Sequence, residues 1–272
     1  MRSNIFSIGH AIIWGDKMLI CPVCKNELIR YGNSLKCQRG HSFDYSKYGY
    51  VNLLLTSKTG DKMGDSKESA LARHQLLAKG YYSCLKDEIS KKMQGTVLDI
   101  CCGEGYYDTY NGTLFGFDIS KQMVRLAAKS NKNGNYFVAN LASIPVADES
   151  IDTAIHLFAP FNDKEFARVL KPGGRLYSVI PGENHLWQIK QAVYDTPYKN
   201  DEKAPPTQRL NLVSRQRVKQ NVAIPREDIK QLFAMTPYFY RTSNENKARL
   251  DSIESLDLTV DFVILEYEKN AK

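Results

Sequence analysis

The sequence predicts an α/β protein in two parts: a small metal-held module near the N-terminus, followed by a doubly wound, mostly parallel β-sheet. Two observations support this fold class. Cysteine and histidine residues cluster at metal-ligand spacing before residue 58, and β-type segments alternate with helical ones from residue 96 onward. A length of 272 residues accommodates one typical domain together with a small one.

The order of elements in the second part follows from this βαβ rhythm, which is typical of a parallel, doubly wound sheet. The predicted strands cover residues 96–101, 113–118, 135–139, 151–158, 175–180 and 258–267. The predicted helices cover residues 121–129, 164–170, 183–194 and 226–234. Residues 106–112 leave room for only about one turn of helix between the first two strands.

Three segments are distinguished along the chain. Residues 1–17 show no caps and no periodicity, and we interpret them as an N-terminal extension, either dispensable sequence upstream of the true start or a short genuine tail. Residues 18–58 form the metal-held module. A polar linker then leads to the α/β domain, which we assign to residues 63–272.

Composition excludes several classes of protein. Hydrophobic residues make up 43% and charged residues 25%, as in ordinary globular proteins, and no apolar run is long enough for a spanning helix. Six cysteines are too few for a disulfide scaffold, and a net charge of +7 permits a polyanionic partner. We therefore expect a cytoplasmic protein with no membrane partner.

The cysteine and histidine cluster has the spacing of a zinc site. Cys21-Pro-Val-Cys24 and Cys37-Gln-Arg-Gly-His41 read C-x2-C-x12-C-x3-H. Three thiolates and one imidazole complete the tetrahedral coordination typical of structural Zn²⁺, and Gly40 gives the second turn backbone freedom. We predict one zinc ion held by Cys21, Cys24, Cys37 and His41, with no coordination position left for catalysis.

The module also interleaves basic and aromatic side chains. Its basic residues are Lys25, Arg30, Lys36, Arg39, Lys47 and Lys58, and its tyrosines and phenylalanine are Tyr31, Phe43, Tyr45, Tyr48 and Tyr50. Two interpretations stay open: an RNA-contacting surface, or a solvated face above a small aromatic core.

A glycine-rich turn follows the first strand of the predicted sheet. Asp99, Gly103 and Gly105 have the D-x-x-x-G-x-G pattern of S-adenosylmethionine sites, which differs from the G-x-G-x-x-G of dinucleotide sites. Asp118 ends the next strand, where an acid is placed to accept two ribose hydroxyls, and Asn140 follows the third, facing the adenine edge. Because open α/β sheets bind ligands at the carboxyl ends of their strands, the pattern predicts an S-adenosylmethionine site.

Both motifs, in this order, resemble those of the bacterial 23S rRNA (guanine-N1)-methyltransferases, a family with a zinc module before a class I, Rossmann-like, S-adenosylmethionine-dependent domain. The similarity extends over nearly everything after residue 18. It is carried by Cys21-Pro-x-Cys24, Cys37…His41-Ser-Phe-Asp, Gly49-Tyr-Val-Asn-Leu-Leu, Gly64-Asp-Ser, Cys102-Gly-Glu-Gly-Tyr-Tyr, Phe115-Gly-Phe-Asp-Ile-Ser-Lys, Ala159-Pro, Ala167-Arg-Val-Leu-Lys-Pro-Gly-Gly, Pro181-Gly-x-x-His185-Leu and Met235-Thr-Pro.

The resemblance implies methylation of a guanine at N1 in a domain II hairpin loop of 23S rRNA, near the macrolide site of the peptide tunnel, with a link to antibiotic resistance. Of two subfamilies that act on neighbouring guanines, we favour the one associated with Gram-positive bacteria and tylosin. Cys101 replaces the first glycine of the family's G-C-G-x-G pattern; because a thiol is small, cofactor binding can survive this change, and a shift of the loop stays open. The predicted cofactor-binding residues are Asp99, Cys101, Gly103, Gly105, Tyr106, Asp118, Asn140 and Leu141.

Guanine N1 carries a proton near neutral pH, so a group must remove it or the keto oxygen must be polarised. His185 and Asn162, which follow predicted strands of the sheet, are the predicted catalytic residues, with helix-start packing as the alternative for His185. We expect positioning to carry most of the rate. His156 lies within an apolar run and is expected to be a buried, hydrogen-bonded histidine.

Base stacking and RNA binding have further candidates. Phe158, Phe161 and Trp187 are candidates to stack on an extruded base, although core packing is favoured for Phe158. A second basic stretch is expected to form an RNA cleft opposite the zinc module, with a solvated strand face as the alternative; it comprises Arg209, Arg215, Arg217 and Lys219. A small-molecule methyltransferase and an inactive rRNA-binding or assembly factor stay open as other functions, and a homodimer stays open as the assembly.

Overall fold

A computed structural model describes residues 18–55, 67–236 and 238–270 of the chain. The predicted extension over residues 1–17 and the predicted domain start at residue 63 lie outside these ranges. The strands are β1 Ile29–Tyr31, β2 Ser34–Lys36, β3 Ser42–Asp44, β4 Val51–Asn52, β5 Thr96–Ile100, β6 Thr113–Asp118, β7 Asn135–Val138, β8 Ile151–Leu157, β9 Leu170–Pro181, β10 Leu210–Pro225 and β11 Ser255–Lys269. The α-helices are α1 Lys67–Ala78, α2 Ser83–Ser90, α3 Lys121–Ser130, α4 Asp163–Val169, α5 Trp187–Val193, α6 Arg226–Ala234 and α7 Asn244–Ala248.

Eight strands form the central sheet, in the order β10-β11-β9-β8-β5-β6-β7-β4. Strands β9, β8, β5, β6, β7 and β4 pair in parallel, whereas β11 is antiparallel to both β9 and β10. The predicted doubly wound, mostly parallel α/β fold is therefore confirmed. Its strand order reverses beside β5, so the carboxyl ends of β5, β6 and β8 open toward one crevice.

Local sequence explains the helix that follows β6. The hydroxyl of Ser120 caps α3 by accepting the amide of Met123. Apolar residues recur on one face of α3 and are buried, whereas the opposite face is basic. The loop of residues 101–112 between β5 and β6 contains no helix, so even the single turn allowed by its length is absent.

The zinc module is connected to the central sheet by strand pairing. Strands β1, β2 and β3 form a three-stranded antiparallel sheet, and the chain then runs into β4, which extends the edge of the central sheet by pairing in parallel with β7. The amide of Leu53 continues this pairing by donating to the carbonyl of Val138 at 2.9 Å. Leu19 makes a second bridge, to Val146. The two parts are therefore joined by backbone hydrogen bonds.

Side-chain packing joins them as well. Leu28 and Leu35 of the module belong to the same buried cluster as Leu98 and Phe117 of the central sheet, and Val51 and Leu53 of the edge segment are buried in it too. The specific Gly-Tyr-Val-Asn-Leu-Leu segment of the sequence thus supplies both the edge strand and its core contacts.

We expect Leu53→Ala to lower the free energy of unfolding by about 2–5 kcal/mol, because a buried leucine is replaced by a cavity inside the shared core. Leu53 is 2% exposed, whereas Leu55, two residues on, is 55% exposed. Leu55→Ala is therefore the matched control and should change stability by about 0.5 kcal/mol or less. Denaturant unfolding followed by tryptophan fluorescence measures the stability of both variants. Equally small losses of unfolding free energy in the two variants would contradict the burial of Leu53 in the shared core.

Candidate functional site

The four predicted metal ligands converge. The ligand atoms of Cys21, Cys24, Cys37 and His41 all lie within 4.8 Å of one another. The Nδ1 atom of His41 is 3.5 Å from the Cys21 sulfur and 3.3 Å from the Cys37 sulfur, and the Cys24 and Cys37 sulfurs are 3.6 Å apart. Tetrahedral zinc bonds of about 2.3 Å to sulfur and 2.0 Å to nitrogen separate ligand atoms by roughly 3.5–3.8 Å. The donor set therefore fits Zn²⁺, as predicted.

Two tight turns present these ligands. The amide of Lys25 donates to the carbonyl of Cys21 at 2.8 Å, and the amide of Gly40 donates to that of Cys37 at 2.9 Å. Gly40 has φ +84°, the left-handed conformation that glycine adopts without steric cost. Four protein ligands close the coordination sphere, so zinc here holds the module together and has no position for substrate.

A second site lies at the carboxyl ends of the parallel strands. A cavity of about 620 Å³ opens there, between the tips of β5, β6, β8 and β9. Six of the predicted site residues line it: Asp99, Cys101, Gly103, Tyr106, Asp118 and His185. The remaining predicted ones, Gly105, Asn140, Leu141 and Asn162, are not among its lining residues.

Acidic groups dominate the floor of this cavity. Asp99 is 1% exposed, and within the described part of the chain neither oxygen of its carboxyl has a hydrogen-bond partner. Burial and the neighbouring carboxyl of Asp108 raise the pKa of Asp99 well above its usual range. Glu104 and Asp118 add negative charge to the same walls. An orphaned carboxyl in such a cavity suits a cationic ligand that brings N–H donors of its own.

S-adenosylmethionine has these properties, because it carries a sulfonium, an ammonium and a ribose diol. Asp118 stands at the tip of β6, where its carboxylate accepts the amide of Ser120 at 2.8 Å and that of Gly103 at 3.1 Å. These bonds tie the glycine-rich loop to the start of α3 and hold the carboxylate at the cavity wall. The residues present therefore fit the cofactor that the sequence predicts.

Cys101 and Gly105 have different roles in the loop. Cys101 has φ +59°, the left-handed conformation that favours glycine, so a residue with a Cβ adopts here a backbone conformation that glycine reaches without strain. Burial raises the pKa of its thiol to about 12, which leaves it protonated. A Cβ on Gly105 would lie 3.0 Å from the Cβ of Ala127, so this glycine allows α3 to pack closely against the loop.

Local hydrogen bonds to the backbone engage the side chains of Asn140 and Asn162, and the carbonyl of Leu141 is one of the acceptors. The side chain of Asn140 is exposed and accepts the amide of Ala142 at 2.9 Å. Asn162 caps α4 by accepting the amide of Glu165 at 3.2 Å, and its amide group donates to the carbonyl of Leu141 at 3.1 Å. Because both ends of the Asn162 side chain are engaged away from the cavity, the structure corrects its predicted placement beside the reacting base.

His185 lines the cavity but has no free lone pair. Its Nδ1 accepts the amide of Asp261 at 3.2 Å, so the proton of the neutral ring is on Nε2, which lies 3.3 Å from the hydroxyl of Tyr82. Burial lowers the pKa of His185 to about 3. The ring therefore donates to Tyr82 and is not placed to accept a proton from a substrate.

The expectation for His156 is confirmed. Its side chain is buried, with Nδ1 3.0 Å from the hydroxyl of Ser178 and Nε2 3.1 Å from the carbonyl of Pro160. Since a carbonyl only accepts, Nε2 carries the proton and Nδ1 accepts from Ser178. Burial lowers the pKa of His156 to about 4.

The aromatic candidates separate into two groups. Phe158 lines the cavity and is 45% exposed, which contradicts the core packing favoured for it. Its φ of +57° is strained for a bulky residue, and such strain is commonly found at functional sites. Phe161 packs against Phe166 and His156 in the interior, and neither it nor Trp187 is among the residues that line the cavity.

Several lining residues come from segments that sequence periodicity did not connect to the site. They are Arg73 and Tyr82 from the region of α1 and α2, Pro205, and Met235, Thr236 and Tyr238 after α6. The family-like Met235-Thr-Pro motif was the one signal for the last group. Tyr82 belongs to a helical hydrophobic pattern and gave no such signal.

The second basic stretch lies on β10 and, for Arg209, directly before it, at the edge of the central sheet opposite to β4 and the zinc module. Six strands lie between β10 and β4. The predicted RNA cleft, with the basic stretch as one wall and the zinc module as the other, is therefore not formed. Arg217 is also engaged, because it donates to the buried carboxylate of Asp261 at 2.9 Å. Among the described helices, none is long and apolar enough to cross a membrane.

Comparisons with known proteins recognise both parts of the chain. The zinc-ribbon family model described as "RlmA, N-terminal" matches residues 19–58, and the model described as "Methyltransferase domain" matches residues 97–174. YxjB of Bacillus subtilis (strain 168), whose name places it among the 23S rRNA (guanine-N(1)-)-methyltransferases, is 30% identical over 91% of this chain and 96% of its own length. The chain belongs to this family.

Two further relatives define the extent of the similarity. The 23S rRNA (guanine(748)-N(1))-methyltransferase of Streptomyces fradiae is 27% identical, again over 91% of this chain and 96% of that protein. A demethylmenaquinone methyltransferase of Bacillus velezensis is 28% identical over 36% of this chain and 50% of that protein. The predicted resemblance, the S-adenosylmethionine-dependent methyltransferase fold and the zinc ribbon are thereby confirmed for this member of the 23S rRNA (guanine-N1)-methyltransferase family.

We expect Asp118→Ala to weaken S-adenosylmethionine binding by about 1.5–3 kcal/mol, roughly 10- to 150-fold, because charge-assisted hydrogen bonds to the ribose are lost. Asn140→Ala is the comparison variant and should stay within about 2-fold, since its side chain points into a local turn. Isothermal titration calorimetry measures both affinities. Unchanged binding by Asp118→Ala would remove the tip of β6 from the cofactor site.

Proposed function

We propose that the protein transfers a methyl group from S-adenosylmethionine to N1 of a guanine in 23S rRNA. The observation that carries this proposal is the extent of the similarity to relatives with that named activity, which covers 91% of the chain and includes the zinc ribbon as well as the methyltransferase domain. The demethylmenaquinone methyltransferase match covers 36% of the chain, so it supports a shared cofactor domain and not a shared substrate.

The finer part of the proposal concerns the target. We infer a guanine in the domain II hairpin loop near the macrolide-binding tunnel, at the position for which the Streptomyces fradiae relative is named, guanine 748. A methyl group there would alter the wall that macrolides contact, which links the activity to antibiotic resistance. The enzyme would act in the cytoplasm, where ribosomes are assembled. A homodimer stays a prediction that light scattering can check.

The cofactor supplies an activated methyl group when bound, so the protein's task is to place guanine N1 in line with it. Asp99 and Glu104 favour a cation at the cavity floor, and Asp118 holds the ribose side. Phe158, exposed at the cavity wall, offers a ring face on which an extruded guanine can stack. These features support a placement of the cofactor on the Asp99 and Asp118 side of the cavity and of the base on the Phe158 side.

Polarisation of the guanine keto oxygen has a candidate donor in Tyr82. Because His185 donates its Nε2–H to the Tyr82 oxygen, the tyrosine's own hydroxyl proton has no acceptor among the described residues. Burial raises the pKa of Tyr82, so this proton is retained at neutral pH. Donation to the keto oxygen acidifies N1–H, and water can then take the proton. His185 is a positioning residue in this scheme.

The proposed activity is tested by mapping primer-extension stops on 23S rRNA. A methyl group on guanine N1 blocks Watson–Crick pairing, so wild-type cells should show a stop that is absent from a deletion strain. Complementation with the wild-type gene should restore the stop, and complementation with Asp118→Ala should not. Identical stops in wild-type and deletion strains would refute the proposal. If the purified protein then still bound rRNA, an assembly factor would be the better description.

We expect Tyr82→Phe to lower the single-turnover methyl-transfer rate by about 10- to 100-fold, because it removes one donor to the keto oxygen. S-adenosylmethionine affinity should not change. Tyr238→Phe is the matched control, because Tyr238 also lines the cavity but donates its hydroxyl to Asn200. A purely structural Tyr82 would instead lower the melting temperature and leave the rate of folded enzyme unchanged, and that result would contradict the role.

A further inference from the structure

Helix α3 carries a row of cations. Lys121, Arg125 and Lys129 are spaced four residues apart, so they share one face of the helix, and α3 contains no acidic residue. Like charges at this spacing destabilise a helix. The other face of α3 is buried and supplies the packing that stabilises the helix. The row of cations therefore adds nothing to the stability of α3, which indicates that these side chains have a function such as binding.

Some basic residues of the surface are neutralised by a neighbouring carboxylate. Arg168, Arg175 and Arg249 each pair with a carboxylate within 3 Å. By contrast, no residue in the described ranges forms an ion pair with the three cations of α3. The charge of this face is therefore available to an external anion.

The zinc module contributes to the same surface. The ring of Tyr48 lies 4.2 Å from the guanidinium of Arg125 and 5.8 Å from the ammonium of Lys129, and the Arg125 guanidinium donates to the Tyr48 hydroxyl at 2.8 Å. Lys47 lies on the module side of this ring, 5.3 Å from its centroid, and it too has no ion pair within the described residues. We name Lys47, Tyr48, Lys121, Arg125 and Lys129 the α3 surface.

The α3 surface begins beside the cofactor cavity. Ser120, which caps α3, and Met123 in its first turn both line the cavity. From Lys121 to Lys129 the helix rises by about 12 Å, so the row of charges leads from the cavity toward the zinc module. A polyanion lying along it would have one end at the site of methyl transfer.

We propose that the α3 surface binds the phosphate backbone of single-stranded RNA next to the target base. Cations in a row with a neighbouring aromatic ring are the features by which proteins follow a single strand. The narrow row and the lack of exposed apolar residues on this face of α3 favour RNA over a membrane surface or a protein partner. The identity of the RNA rests on the proposed function, whereas the charge of the surface does not.

The test compares two triple variants with the same loss of charge. Lys47→Gln/Lys121→Gln/Lys129→Gln removes the exposed lysines and keeps Arg125, which holds Tyr48. Binding to the domain II hairpin RNA is measured by fluorescence anisotropy over a salt series. Each lost phosphate contact reduces the slope of log K against log salt by about 0.7, so we expect a reduction of about 2, with unchanged S-adenosylmethionine affinity.

The control is Arg209→Gln/Arg215→Gln/Lys219→Gln on β10 and the residue directly before it, which we call the β10 variant; it spares Arg217 and its buried partner. Its slope should equal that of the wild type. A reduced slope in the β10 variant together with a wild-type slope in the α3 variant would overturn the proposal in favour of β10. If the α3 triple variant lost zinc, the pair Lys121→Gln/Lys129→Gln would replace it, with an expected reduction of about 1.4.

A wild-type methyl-transfer assay on 23S rRNA separates this inference from the proposed function. Methyl transfer by the wild type with an unaltered slope in the α3 variant would refute the α3 surface alone. An inactive wild type whose RNA binding depends on the α3 lysines would refute the proposed reaction and support the surface.

Discussion

The pairing of β4 with β7 is the constraint on which the arrangement of the two parts depends. Only two residues, Val51 and Asn52, form this strand, yet they fix the zinc module to the edge of the central sheet. The pairing brings Tyr48 against α3 and buries Leu53 in the shared core. Zinc also contributes to this arrangement, because it stabilises the folded module from which β4 extends.

The methyltransferase site depends on a different constraint, the convergence of strand ends. Parallel strands deliver Asp99, Asp118 and the turn after β8 to one cavity, where burial and neighbouring carboxyls raise the pKa of Asp99. The protein accepts two costs to build this cavity: a cysteine and a phenylalanine in left-handed conformations, and a carboxyl without a hydrogen-bond donor. Costs of this kind are expected where a ligand completes the structure.

Sequence patterns predicted what depends on local spacing. The four metal ligands, six of the eight strands of the central sheet and the acids at the tips of β5 and β6 all follow from short motifs. Asn162 was misplaced because a helix cap and a catalytic amide look alike in sequence, and only the hydrogen bonds to Glu165 and Leu141 distinguish them. Tyr82 was missed because its contact with His185 joins residues about a hundred positions apart. The edge strand β4 was missed because two residues carry no periodicity.

The buried carboxyl of Asp99 couples the cofactor to protons. The pKa of Asp99 is higher in the folded protein than in the unfolded chain. At a pH between these two pKa values, the folded protein therefore retains a proton that the unfolded chain releases. The contribution of Asp99 to the free energy of unfolding consequently falls as pH rises through this range. A cation seated beside Asp99 favours its ionised form and expels that proton. Under the proposed placement of the cofactor beside Asp99, binding would release this proton, and affinity would increase with pH between the pKa of Asp99 in the cofactor-bound protein and its higher pKa in the free protein. His156 and His185 are neutral at neutral pH, since burial lowers the pKa of both rings. Under the proposed placement of the cofactor, a cationic group of S-adenosylmethionine would serve as the counter-ion of the Asp99 carboxylate.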